Sequence, residues 1–461
     1  MMKRTIAIIG AGFSGTATAI HLLTRHGHKP FEVLLINRHV NMARGVAYGT
    51  HSPWHLLNVP AGRMSLFPDR ENDFLDFARA GDAAVTGASF IARSLYGHYL
   101  GTCLREAVDA STQARLKQVT GEVIDLKVAP GDRQVDLLFA DGRKQTADRL
   151  VLAVGNYPPA DPPVPYPEFF ESPTYIRDPW APDALDKAQL QQPAFLIGTG
   201  LTMMDVALEL TRRGFSSVMF AVSRRGLLPQ SHRDLPSMPA ENLLPPGIMG
   251  GPVTIHHRMH TLRRHIRELA ATGVDWRDVI GSLRSVTPAL WQALDIAERR
   301  RFLRHLQPYW DSHRHRTAPI AAARLDGLLR TGKLVAQAGR ILEITSKGGR
   351  ASVSWKARHH SSIQQSQVAT VINCTGPQSD LTKLRDPLIQ SLLRQGLLTP
   401  DPLRLGLQTD TDGALLDEGD CPSELVFYTG PLLRARDWEC TAVPELRLAA
   451  LKLADRLAGT W

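Results

Sequence analysis

Three glycines open the chemistry of this chain: Gly10, Gly12 and Gly15 stand in GAGFSG, directly after the β-branched, apolar run Thr5 to Ile9. Thr16 to Arg25 is compatible with a helix, and Phe31 to Ile36 follows as a second apolar run at the distance expected of a parallel strand. That order is a βαβ unit with a glycine turn at its first bend. Gly10 permits the tight turn, Gly12 lets backbone N–H groups approach a pyrophosphate, and Gly15 lets the helix lie close to the strand. The helix N-terminus then faces an anion. Ser14 belongs to the same turn. Where an acidic residue usually clasps an adenosine ribose, the sequence has Asn37 followed by Arg38. An amide still hydrogen-bonds a hydroxyl.

A second unit begins far downstream. Ala194 to Ile197 is apolar, Gly198, Thr199, Gly200, Leu201, Thr202 and Met203 follow, a helical stretch runs to Arg213, and Val218 to Val222 supplies the next strand. Met203 replaces the third glycine. Arg224 and Arg225 stand where the ribose is read, and two guanidiniums suit a 2′-phosphate better than a bare diol, which favours NADPH over NADH. The competing reading is a basic loop after an edge strand. Asp148 to Gly155 and Thr370 to Gly376 each read as a buried strand ending in a small residue and glycine, expected to return to a nucleotide-binding core.

The fold class expected is α/β, a double Rossmann-like, two-dinucleotide flavoprotein with a helical insertion. The first nucleotide domain takes 1–160 and 365–461, the second 190–364, and helices fill about 255–330, including Leu262 to Leu269 and Ala297 to Leu306. Two Pro- and Gly-rich stretches, Tyr157 to Pro173 and Leu227 to Gly251, read as linkers.

Composition is consistent with such a protein. The 461 residues, 43% hydrophobic and 21% charged, exclude collagen-like and low-complexity chains. Net charge is +9, and 12 arginines face six acidic residues between Arg258 and Arg316, at helix-like spacing. Solvated helix faces explain that stretch more simply than a nucleic-acid surface. Four cysteines without a Cys-x-x-Cys pair argue against a disulfide framework, zinc and a thioredoxin-like redox centre, and fit the cytoplasm. The apolar start is read as a strand rather than a signal peptide, and no run of about 18 apolar residues suggests a membrane span. His313 and His315 lack the third ligand a metal needs, so no metal is expected.

With GAGFSG go RGVAYGT from Arg44, HLLNVPAGRMS from His55, the segment carrying Arg93, Tyr96, Gly97 and Tyr99, IGTGLTMMD from Ile197, YWDSHRHRTAP from Tyr309, VINCTGP from Val371 and WECTAVPELR from Trp438. Through these, over almost its whole length, the chain resembles the FAD- and NAD(P)-binding proteins related to class B flavin monooxygenases and amine N-hydroxylases. The resemblance implies FAD on the first unit, held by Gly10, Gly12, Ser14, Gly15, Asn37 and Arg38, with Gly155 and Gly430 beside the flavin. It implies NADPH or NADH on the second, held by Gly198, Gly200, Thr202, Arg224 and Arg225. Asn58, Arg63 and Ser65 fall in the stretch that resembles a flavin-facing loop, against the simpler reading of a loop that satisfies its own backbone. Arg434, Arg436 and Glu439 are substrate candidates, with surface salt bridging as the other reading.

The activity implied is that of a monooxygenase: NAD(P)H reduces FAD, and one atom of O2 passes through a flavin hydroperoxide to a small-molecule substrate. The first expectation is urate hydroxylation to 5-hydroxyisourate, in purine catabolism. Amino-acid or amine N-hydroxylation is the alternative, and a non-catalytic redox sensor a further one. The sequence leaves oligomeric state open and points to neither nucleic acid nor membrane as partner.

Overall fold

A computed structural model describes residues 4–128, 131, 133–233 and 243–459. Its frame is two mainly parallel sheets. In the first, six strands lie in the order Ala414–Leu416, Pro422–Tyr428, Arg149–Leu152, Arg4–Ile9, Phe31–Asn37 and Arg115–Thr120. All neighbours are parallel except the first pair. Such a sheet needs cover on both faces, and the alternation of side chains supplies two cores. Ile6, Ile8, Val33 and Leu35 pack with the helices Phe13–His26, Arg93–Ala110 and Val443–Gly459. Ala7, Ile9, Leu34 and Ile36 turn to the other side, against a small antiparallel sheet of Val123–Lys127, Val135–Phe139 and Lys144–Ala147 and the helix Pro387–Arg394.

The second sheet has seven strands, in the order Ile363–Val368, Arg350–Ala357, Leu334–Lys347, Met219–Ser223, Ala194–Ile197, Thr370–Asn373 and Tyr175–Ile176. Here the expected boundary at 364/365 needs correcting. Thr370–Asn373 does not return to the first domain: it pairs in parallel with Ala194–Ile197, and Ile363–Val368 belongs to the same sheet. The strand that rejoins the first sheet is Pro422–Tyr428, beside Arg149–Leu152. The physical reason is a repeated device. A Cβ on Gly10 would lie 2.2 Å from the Ala153 carbonyl oxygen, and one on Gly198 would lie 2.7 Å from that of Cys374. Each unit therefore carries its own strand against its own glycine turn.

Between Met219–Ser223 and Leu334–Lys347 come, among the described residues, six α-helices, from Ile255–Ala270 to Pro319–Arg330. The last is not part of the expected insertion. Ala318, Ala321, Leu325 and Leu328 bury against Ala194, Leu196 and the helix Leu201–Arg212, making it the crossover helix of the second unit. The other helices enclose a separate core, where Ile255, Trp291, Leu294 and Phe302 meet Leu405, Ala435 and Trp438 of the closing segment.

The Pro-rich stretch after Tyr157 is more than a tether. Tyr157 bridges to Gln378, so the two connections between the sheets run side by side, and Phe169 and Phe170 bury in the second sheet's core. Of the second expected linker, Leu227 to Gly251, residues 234–242 lie outside the described residues. No helix among the described residues is long and apolar enough to cross a membrane.

Candidate functional site

Both glycine turns have the geometry of an anion cradle. The Gly10 N–H donates to the Ile36 carbonyl at 2.8 Å, and the Gly198 N–H donates to that of Val222 at 2.8 Å. Each helix starts one residue after an extended glycine, Gly12 or Gly200, with no side-chain cap and no acidic residue in its first turn. The first intrahelical bonds run from Thr16 to Gly12 and from Met204 to Gly200. The amides of Phe13, Ser14 and Gly15, and of Leu201, Thr202 and Met203, therefore remain at the positive helix ends. A Cβ on Gly15 would stand 1.9 Å from the Gly10 oxygen, so only glycine fits. Met203, at the equivalent position, is fully buried among apolar side chains. A Cβ on Gly200 or Gly155 would meet nothing within 4 Å, and Gly155 and Gly430 both have positive φ, 71° and 142°. These are the conditions a dinucleotide pyrophosphate requires, and the residues present fit one.

At the ribose end the two units differ. The Asn37 amide group donates to the carbonyls of His39 and Asn41, at 2.8 and 3.0 Å, shaping its own loop. Arg38 pairs with Asp386 and approaches Glu122 at 3.4 Å. In the second unit, Arg224 and Arg225 line a cleft of about 350 Å³ together with Arg304, His305 and Arg358. Arg225 builds its wall, donating to the carbonyls of His305 (2.9 Å) and Arg304 (2.8 Å) and lying over the Tyr309 ring. Arg224 is exposed and makes no hydrogen bond or ion pair among the described residues. Arg304 and Arg358, remote in sequence, gave no signal beyond a general excess of arginine.

The loop from Arg44 to Ser65 joins the two units. Arg93, on the first unit's helix, holds the Leu56 carbonyl at 3.0 Å and pairs at 2.8 Å with the buried Asp205 of the second. His55 lies 2.7 Å from the Thr50 hydroxyl and 3.2 Å from the Asp205 carbonyl, and Ser52 donates to Glu209 at 2.5 Å. Burial lowers the His55 pKa, which keeps the ring neutral and suits a donor at one nitrogen and an acceptor at the other.

Of the three residues singled out in this loop, Ser65 has the geometry of the simpler reading, a group that satisfies its own backbone. It is fully buried, and its hydroxyl lies 3.0 Å from the Phe67 oxygen, 2.6 Å from the Arg70 oxygen and 3.1 Å from the Phe67 nitrogen, closing its own turn. The Asn58 carbonyl sits 3.0 Å from His232 Nε2. Arg63 is exposed and has no acceptor among the described residues. Partial desolvation of its guanidinium, then Arg284 and Arg314, lower its pKa against the opposing pull of Asp278.

The substrate expectations on the closing segment fare unequally. Glu439 is 7% exposed, with Trp310 donating to it at 3.1 Å and Arg314 at 2.6 Å, a closed pair rather than an open contact. Burial raises its pKa, with Arg314 opposing. Arg434 lies 4.1 Å over the Trp438 ring and 3.9 Å from Asp311, and Arg436 is held by Asp437. His313 lies 2.8 Å from the Tyr309 carbonyl, and His315 Nε2 3.7 Å from Asp311. Beside Trp310 and Trp438 a cavity of about 640 Å³ opens among the insertion helices, lined mainly by apolar side chains such as Met259, Leu262 and Leu290.

Residues 7–157 match a family model described as FAD-NAD(P)-binding. Solved structures extend the likeness over both units. Ornithine hydroxylase from Pseudomonas aeruginosa, in its reduced form, is 16% identical, covers 99% of each chain and gives a TM-score of 0.66. L-lysine 6-monooxygenase from Pseudomonas syringae is 18% identical over 99% of this chain and 98% of its own, with a TM-score of 0.65. The ornithine N-hydroxylase of Kutzneria sp. 744, solved with reduced FAD, NADP+ and L-ornithine, is 12% identical over 99% of each chain, with a TM-score of 0.63. No curated protein sequence matches the chain. At these identities the likeness shows the fold alone, two nucleotide-binding-like domains in one chain.

Proposed function

We propose that this protein is an FAD- and NADPH-dependent monooxygenase that hydroxylates the nitrogen of a primary amine. The carrying observation is the pair of uncapped glycine-turn helices in one chain, the second backed by a cleft of arginines. FAD is assigned to the first unit, on Gly10, Gly12, Ser14 and Gly15, with Gly155 and Gly430 alongside. NADPH is assigned to the second, on Gly198, Gly200 and Thr202, with Arg224 and Arg225 at the 2′-phosphate. A phosphate dianion satisfies a cluster of guanidiniums where a diol leaves them unpaired.

FAD held on the first unit would supply hydride acceptance from the nicotinamide and transfer of one atom of O2 to the substrate. The chain's own residues position the partners. Arg93 and Asp205 lock the two units together, while Asn58 and Arg63 stand on the loop between them, Arg63 as a fixed positive charge for developing negative charge. The overall reaction is RNH2 + O2 + NADPH + H+ giving RNHOH + NADP+ + H2O.

The amine reading rests on the similar structures, which are described as acting on ornithine and lysine. Nothing in the comparisons supports urate. The test is NADPH oxidation by the FAD-loaded protein with L-ornithine, L-lysine, cadaverine or urate, with products identified by mass spectrometry. Amine-dependent oxidation yielding a hydroxylamine is expected. Conversion of urate would restore the other monooxygenase reading, and flavin reduction without any product would point to a redox sensor.

A further inference from the structure

Arg316 is 8% exposed, yet its guanidinium has no ion pair and no hydrogen-bond acceptor among the described residues, and its Nε is buried without a partner. It sits on the connection between Gln307–Arg314 and Pro319–Arg330. Thr317 fixes that connection: its N–H donates to the Gln230 carbonyl, and its carbonyl accepts from His232, both at 2.9 Å. The segment Leu227 to His232 in turn runs from the second glycine turn, where the Thr199 hydroxyl meets the Leu227 carbonyl at 2.7 Å, to the Asn58 carbonyl on the loop of the first unit. Arg316 is thus held between the nicotinamide-binding turn and the proposed flavin-facing loop.

The carboxylates around it each face another arginine, although Asp278 and Asp275 also attract Arg316 from a distance and the Asp278 oxygens lack a hydrogen bond. Asp278 is taken by Arg233 at 2.5 Å, Asp275 by Arg277 at 3.1 Å, Glu439 by Arg314 and Glu445 by Arg284. Burial, then the neighbouring Arg314 and Arg277, bring the Arg316 pKa down to about 10, so it remains charged at neutral pH. Arg63, another guanidinium without an acceptor among the described residues, shares Arg314 and Asp278 as charged neighbours. A buried cation without a counter-charge opposes folding unless a ligand supplies the anion.

We propose that Arg316 seats the oxyanion of the substrate, a carboxylate, and so selects substrates that carry an acid group over plain diamines. The assignment to substrate rests on the monooxygenase reading; the anion seat itself does not. The test is thermal unfolding of the FAD-loaded protein in acetate or succinate against chloride at equal ionic strength, with NADP+ as a separate arm. Wild type is expected to gain roughly 2 °C in the carboxylates, Arg316→Gln to gain nothing, Arg316→Lys to keep part of the gain, and NADP+ to stabilise all three alike. An equal carboxylate response in wild type and Arg316→Gln, or none in wild type, overturns the seat. Loss of the NADP+ response in Arg316→Gln moves the anion to the nucleotide's phosphates and overturns the substrate assignment. Because neither arm requires turnover, failure of the monooxygenase reading leaves its own mark, in NADPH oxidation and products.

Discussion

At the scale of single residues, burial decides which polar groups work and which merely hold. His21 is 2% exposed, its Nε2 has no partner, and burial brings its pKa down to about 4. The fold thus favours the neutral ring. Its stabilising contribution is complete above the unfolded value of 6.5 and is lost as pH falls from there towards 4, by about 3 kcal/mol at one unit per 1.4 kcal/mol. Urea unfolding at pH 7 and pH 4.5 should show this loss, and His21→Leu should reduce it. His232, also lowered to about 4 by burial and then by Arg316, adds to the same window. Glu439 presents the opposite case. Glu439→Gln leaves Arg314 buried against an uncharged amide, and a stability loss of about 3 kcal/mol is expected in the same unfolding assay. Residue type alone left two readings open for Glu439 and for Ser65, because it marks a group as polar without saying which partner the folded chain brings to it.

At the scale of elements, the two strand–glycine–helix turns were legible because their requirement is local: a positive φ and a close backbone contact exclude any side chain within a few residues of the turn. The partner strand was not local. DRLVLAVG and TVINCTG look alike because each closes against a glycine turn, and only strand register assigns the second to Ala194–Ile197. The same geometry makes the two turns separable by mutation. Gly10→Ala, at φ 108° with a carbonyl 2.2 Å from the added Cβ, should yield protein largely free of flavin. Gly198→Ala, at φ 114° with a carbonyl at 2.7 Å, should keep its flavin while the Kd for NADP+ rises at least about tenfold. Flavin content by absorbance and NADP+ titration check the pair, and loss of flavin from both variants would contradict the division of labour.

At the scale of the whole molecule, two nucleotide units are fixed against each other by Arg93 and Asp205, with helices from the insertion and the closing segment covering the space beside them. The architecture was readable from the repeated motif. The cation cluster was not, since Arg63 and Arg284 come from segments remote from the one that carries Arg314 and Arg316. Under the proposed function, the arrangement serves reduction of a flavin on the first unit by a phosphorylated nicotinamide nucleotide on the second. The most direct test is the anaerobic rate of flavin reduction by NADPH and by NADH, in wild type and in Arg224→Ala. Faster reduction by NADPH is predicted, with an advantage over NADH that falls by about tenfold or more in the variant, as expected for one charge-assisted contact to phosphate. A flavin that neither nucleotide reduces, or a wild-type flavin reduced equally by both, would contradict the account.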